Sequence, residues 1–176
     1  MTPLDWTHAV RDIPSDGLAI ERTVTAEEAA RLADALGVVS VDKLVAKYRL
    51  TPAPGARVAL TGKLDIRVTQ ECVVTLDPLP STVSLPLDAV FTSQSANADA
   101  ATAEVTLDDL ENPAEEPIEN GTVDVGRVVL EELMSGIDPY PRSADARFDW
   151  TDDKADPTSD KPFAALARLR KTDGSN

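Results

Sequence analysis

Between Arg57 and Thr69 apolar and polar residues alternate strictly. Val58, Leu60, Leu64, Ile66 and Val68 take the even positions, and Arg57, Thr61, Lys63, Asp65, Arg67 and Thr69 the odd ones. A two-residue period over this length predicts a β-strand with one buried and one wet face. Leu44, Ala46, Tyr48 and Leu50 predict a strand before it, over 41–50, and Val83, Leu85, Leu87, Ala89 and Phe91 one after it. Thr51 to Gly55 reads as a turn, because Pro52 and Pro54 interrupt a ladder. Asp77 to Ser81 reads as the next turn. The sum is an antiparallel meander of about three strands. Without a bulge, Cys72 continues the buried parity.

Upstream, Trp6 to Ile13 and Leu18 to Val24 read as short strands separated by Pro14, Asp16 and Gly17. Thr25-Ala26-Glu27-Glu28 has the spacing of a capping box, which opens a helix running to Leu36 before Gly37. Downstream, residues 93–120 are small, then acidic, and predict a long flexible loop with a short strand at Val105 to Leu107. A second helix starts at Thr122 or Asp124, carries Val125, Val128, Val129 and Leu133 on one stripe, and ends at Gly136. Asp138 to Arg142 is extended, since each proline disfavours a helical residue before it. Residues 1–142 therefore read as one domain. Residues 143–176 read as a largely disordered tail with a short helix at Phe163 to Leu169. The fold class is α+β: an antiparallel β-meander, with a barrel-like curl as the variant, two main helices and the long acidic loop.

A length of 176 residues suits one domain with a real core, and 42% hydrophobic but only 4% aromatic residues leave that core to Val, Leu, Ile and Ala. The chain holds no apolar run of membrane-spanning length, no secretory pattern at its start and a single cysteine, which together lead us to expect a cytoplasmic protein. A net charge of −14 argues against nucleic acid at first sight. The distribution changes that picture. Residues 1–67 hold nine basic and nine acidic residues, whereas 68–126 hold twelve acidic and no basic ones. The excess is local.

Catalytic chemistry finds little footing. Cys72 as a nucleophile needs a nearby base or positive charge, but His8 is the only histidine and Glu71 beside it would raise the thiol pKa. A packed core cysteine is the better reading. Zinc is weaker still, because a structural site wants four Cys or His ligands and a catalytic site at least three protein ligands, and the chain has one Cys and one His. The 104–119 carboxylates leave room for Mg²⁺ or Ca²⁺, without EF-hand spacing. No Gly-rich phosphate loop occurs. We expect no enzyme, no cofactor and no metal. One constellation stands out: Lys43, Lys47, Arg49, Arg57, Lys63 and Arg67 are all odd-numbered, opposite the apolar face. Paired strands would gather them on one surface able to track an RNA backbone, offset there only by Asp65, with Asp42 on the other parity. No aromatic is interleaved for stacking, since Tyr48 points inward. A wet strand face that happens to be basic explains the pattern equally well.

Glu71-Cys72-Val73-Val74-Thr75-Leu76-Asp77-Pro78 resembles the central signature of the YceD family, the large ribosomal RNA subunit accumulation proteins. An acidic loop follows it, then Gly121 to Gly126 with Asp124, then a helix ending in Asp138-Pro139-Tyr140-Pro141-Arg142, which looks like the family's alphaproteobacterial pattern. Pro162 to Leu166 also fits, and the resemblance covers roughly residues 4–170. It implies a non-enzymatic ribosome-assembly factor supporting accumulation of large-subunit ribosomal RNA, with that RNA or the pre-ribosomal large subunit as partner. Many members carry Cys-x-x-Cys at the signature. Thr75 stands at the second position here, so a metal or redox pair is incomplete. The basic strand face is the expected RNA contact, with the signature loop and Asp138 to Arg142 as a second. Two alternatives stand beside it: an adaptor whose acidic segment holds a basic ribosomal protein, and an enzyme using Cys72.

Overall fold

In the computed structural model the described residues are 2–93 and 114–148. The chain divides into a compact unit ending at Ala146 and a second unit from Arg147, of which only Arg147 and Phe148 are described. The expected strand at 105–107, the carboxylates of 104–113 and the C-terminal helix lie outside the described residues. Among the described residues ten elements follow in order: β1 (Thr7–Ala9), a 3-10 turn (Val10–Asp12), β2 (Leu18–Thr23), α1 (Ala26–Leu36), β3 (Ser40–Ala53), β4 (Arg57–Glu71), β5 (Pro78–Ser93), β6 (Ala114–Ile118), β7 (Thr122–Asp124) and α2 (Val125–Gly136).

The α+β class holds, and β3, β4 and β5 form the expected meander, extended at both sides into a sheet of order β2-β3-β4-β5-β6. Among the described residues the sheet is open, with β2 and β6 at its edges, so the curl toward a barrel does not close there. β6 is a correction to the expected loop: Ala114–Ile118 pairs parallel to β5, from Ala89 to Ser93. The first strand is also shorter than its pattern, since β1 gives way to the 3-10 turn and pairs instead with β7.

Prolines sit where the ladder does not need them. Pro52 lies inside β3, opposite Val58, rather than in a turn. It is tolerated because β2 pairs β3 only from Val45 to Leu50. Pro78, Pro80 and Pro86 fall on the part of β5 that β6 leaves as an edge, where a missing N–H costs nothing and discourages pairing with another chain. The hairpin closes one residue pair later, at Pro54 to Ala56, using Gly55 at φ 80°.

The even-numbered face of β4 is buried as its pattern predicts, with Leu60, Leu64 and Val68 fully covered, and Tyr48 is 4% exposed. Both helices pack on this face. In α1 the capping box forms: the Glu28 N–H donates to Thr25 Oγ1 at 3.2 Å, and the Thr25 N–H donates to Glu28 Oε2 at 2.9 Å. The second carboxylate oxygen of Glu28 accepts the buried Trp6 indole N–H at 3.0 Å, which pins the N-terminal segment to the helix. Gly37 ends α1 in the left-handed region. In α2 the Asp124 carboxylate accepts the Arg127 N–H at 3.1 Å, and Val125, Val128, Val129 and Leu133 are all buried. None of the helices among the described residues is long and apolar enough to cross a membrane.

Candidate nucleic-acid interface and signature loop

The odd-numbered face of β3 and β4 turns to solvent and carries all six expected cations. Register places Lys43 directly opposite Arg67 and Lys47 opposite Lys63. Like charges in direct cross-strand register are unfavourable, and the structure relieves one pair. Lys47 Nζ lies 3.2 Å from Glu21 of β2, and Lys63 Nζ lies 3.1 Å from Asp65. Asp65 is held below the usual carboxylate range, first by the Ser84 hydroxyl at 2.6 Å and then by Lys63. Arg57 is ion-paired with Glu115 of β6, and Arg49 donates to the Asp16 carbonyl at 3.3 Å. Lys43 and Arg67 have no acidic partner within 4.0 Å among the described residues. They line a shallow groove of about 330 Å³ together with Glu21, Lys47, Asp65 and Thr82.

The surface is less one-sided than the alternation of two strands implies. Glu21 and Asp88 join Asp65 on it from the neighbouring strands. Asp42 joins it too, because the β3–β4 register shifts between Val41 and Lys43. The bulge breaks parity, so that Val41 is buried while Asp42 is exposed and accepts the Thr69 hydroxyl at 3.1 Å. Gly62 marks a close approach of the two strands: it faces Tyr48 so closely that a Cβ there would meet the Lys47 carbonyl and the Tyr48 Cα.

Of the signature, residues 72–77 form a tight loop between β4 and β5, which end and begin at Glu71 and Pro78. The Cys72 N–H donates to the Asp77 carbonyl and the Leu76 N–H to the Cys72 carbonyl, each at 2.9 Å. The Asp77 N–H donates to Thr75 Oγ1 at 3.4 Å, and Pro78 opens β5 opposite Glu71. Leu76 adopts φ 62°, an unfavourable region for a residue with a Cβ. The second signature segment is brought against the first. The Val73 N–H donates to the Pro141 carbonyl at 2.9 Å, Gln70 Nε2 to the Asp138 carbonyl at 2.8 Å, and the Ser143 N–H to Cys72 Sγ at 3.4 Å. The Asp138 carboxylate accepts the Tyr140 N–H at 2.9 Å, and Arg142 donates to the Ala146 carbonyl at 2.8 Å. Pro141 is buried, while Pro139 and Tyr140 are exposed.

Cys72 is 1% exposed but lies outside the main apolar cluster. The Ser143 N–H, then the Thr75 hydroxyl and the N–H groups of Thr75 and Val74, hold its thiol down to about 6, against the upward push of burial. This reverses the expectation from Glu71 alone: backbone donors dominate. His8 does not approach that thiol through a hydrogen bond; its Nε2 bonds the Tyr48 hydroxyl at 2.9 Å. Burial, then Arg22, lowers the His8 pKa, and burial raises that of Tyr48 to about 12. Asp124 sits apart from the loop at the start of α2, lining a 280 Å³ concavity with Thr7, Glu116 and Arg127. Glu116 is buried, 3.5 Å from Arg127, and burial raises its pKa.

Two residues escaped the reading of the chain. Gln70, a polar side chain on the buried parity of β4, requires an interior partner, and that signal was legible. Glu116 carried none, because its strand was hidden in an acidic stretch.

These features define an α+β domain built on an open sheet, with one charged solvent-facing surface and a signature loop tied to the segment after α2. The family model described as large ribosomal RNA subunit accumulation protein YceD matches residues 60–170, and the chain belongs to that family. The match takes in Lys63, Arg67 and both signature segments, and begins after Lys43, Lys47, Arg49 and Arg57. No curated protein and no solved structure matches the chain.

Proposed function

We propose that this protein is a non-enzymatic, cytoplasmic ribosome-assembly factor that supports accumulation of large-subunit ribosomal RNA by contacting that RNA directly through the β3–β4 face. The family's description supplies the assembly role. The observation that carries the contact is the Lys43–Arg67 pair, two like charges in register, without a carboxylate partner among the described residues, in an open groove. Two phosphates would neutralise a repulsion that the fold leaves standing. The wet face carries enough carboxylates to keep the contact weak and salt-sensitive, which suits transient association with an assembling particle.

The test is co-sedimentation of the tagged chain with large-subunit precursor particles, before and after nuclease, for the wild type and a variant with Lys47, Arg49, Lys63 and Arg67 all changed to Glu. Loss of co-sedimentation in the folded variant is expected. Unchanged co-sedimentation would rule out the face as the contact.

A further inference from the structure

The joined signature segments end the sheet in a surface of unusual composition. Leu76 is 66% exposed, Tyr140 75% and Val73 50%. Val73 and Tyr140 belong to segments held together by the Val73–Pro141 hydrogen bond, and Leu76 is fixed four residues after Cys72 by the Cys72 carbonyl. The loop therefore holds an apolar side chain outward on a backbone conformation that glycine would adopt at no cost. Glu71, Asp77 and Asp138 lie in the same two segments and are exposed. The one cation on the two segments, Arg142, is turned to the Ala146 carbonyl.

Charge decides what such a surface accepts. Three carboxylates repel phosphate, so RNA suits this end of the sheet poorly even though Tyr140 could stack on a base. Exposed apolar anchors on two acidic segments fit a polypeptide with the opposite charge and its own apolar side chains. We infer that Glu71 to Asp77 and Asp138 to Tyr140 form a docking surface for a cationic polypeptide segment of a partner protein that carries its own exposed apolar side chains. None of these residues lines the Lys43–Arg67 groove, and the inference does not rest on RNA contact there.

The test titrates the full chain with four labelled probes of equal length: alternating Lys-Leu, Lys-Ser and Glu-Leu peptides, and oligouridylate. Leu76→Gly is the informative variant, since it removes the side chain while relieving the backbone, and its melting temperature should match or exceed wild type. Lys-Leu is expected to bind, Lys-Ser to bind at least about tenfold more weakly, and Leu76→Gly or Tyr140→Ser to cost about tenfold each. Lys43→Glu should leave peptide binding within about twofold. Equal binding of Lys-Ser, no loss in Leu76→Gly, or displacement of the peptide by oligouridylate would overturn the inference. Self-association that disappears in Leu76→Gly would assign the surface to a second copy and overturn it as well.

Discussion

Lys43→Glu separates stability from RNA contact, because the two should move in opposite directions. In the native register Lys43 faces Arg67 directly, with no carboxylate within 4.0 Å of either among the described residues. The substitution turns a like-charge cross-strand pair into an ion pair. Such pairs are worth roughly 0.2–1 kcal/mol, and solvent exposure places this one toward the lower end. For a domain of this size that is a rise in Tm of about 1–3 °C, read by calorimetry at low salt and fading as salt is added. Binding should weaken at the same time. One phosphate contact on single-stranded RNA contributes a slope of about −0.7 in log K against log salt. Titrating large-subunit ribosomal RNA across a salt series should therefore show a slope smaller by about 0.7 in the variant. Arg57→Gln, whose positive charge is already matched by Glu115, should change the slope less. A variant that is less stable than wild type would refute the register argument. One that is more stable but binds with an unchanged slope would refute the assignment of the groove to phosphate.

Three further outcomes follow from the packing and the titratable groups. Thr25→Ala removes the α1 cap and should cost about 1 kcal/mol in denaturant unfolding. Burial opposes ionisation of Glu28, but the Thr25 backbone and hydroxyl and the Trp6 indole outweigh it and hold the carboxyl below 4.5. Its contribution is thus present above that pH and lost as pH falls through the lower folded value, so the wild-type advantage over Thr25→Ala should shrink on acidification. Gly62→Ala should cost about 1–3 kcal/mol by forcing β3 and β4 apart, and an unchanged midpoint would contradict the close approach to Tyr48. The Cys72 thiolate absorbance should titrate near 6, not the ordinary 9. A depressed pKa gives stability that is full above 9 and is lost as pH falls through 6, a dependence that Cys72→Ser abolishes; reagent labelling of the folded chain should nonetheless be slow, because the sulfur is covered.

Local patterns by themselves determined the meander, both helices and the sidedness of the sheet. A two-residue period specifies which face of β4 is buried wherever the ladder is regular. A Thr and a Glu three residues apart specify a helix start through bonds made within one turn. What the pattern could not carry are relations between segments distant in the chain. The bulge at Asp42 depends on how β3 and β4 pair, so parity failed there. β6 pairs in parallel with β5 from Ala89 to Ser93, a partnership that nothing in the local pattern of Ala114 to Ile118 announces. Pro52 is harmless because β2 ends first. The six cations were visible as residues, but Glu21 and Glu115 reach Lys47 and Arg57 only from neighbouring strands. The pairing of Cys72 with Ser143 and Val73 with Pro141 joins segments some seventy positions apart. Backbone donors that meet a thiol in this way are set by tertiary packing, because the N–H groups are the same in every residue and only the fold aims them.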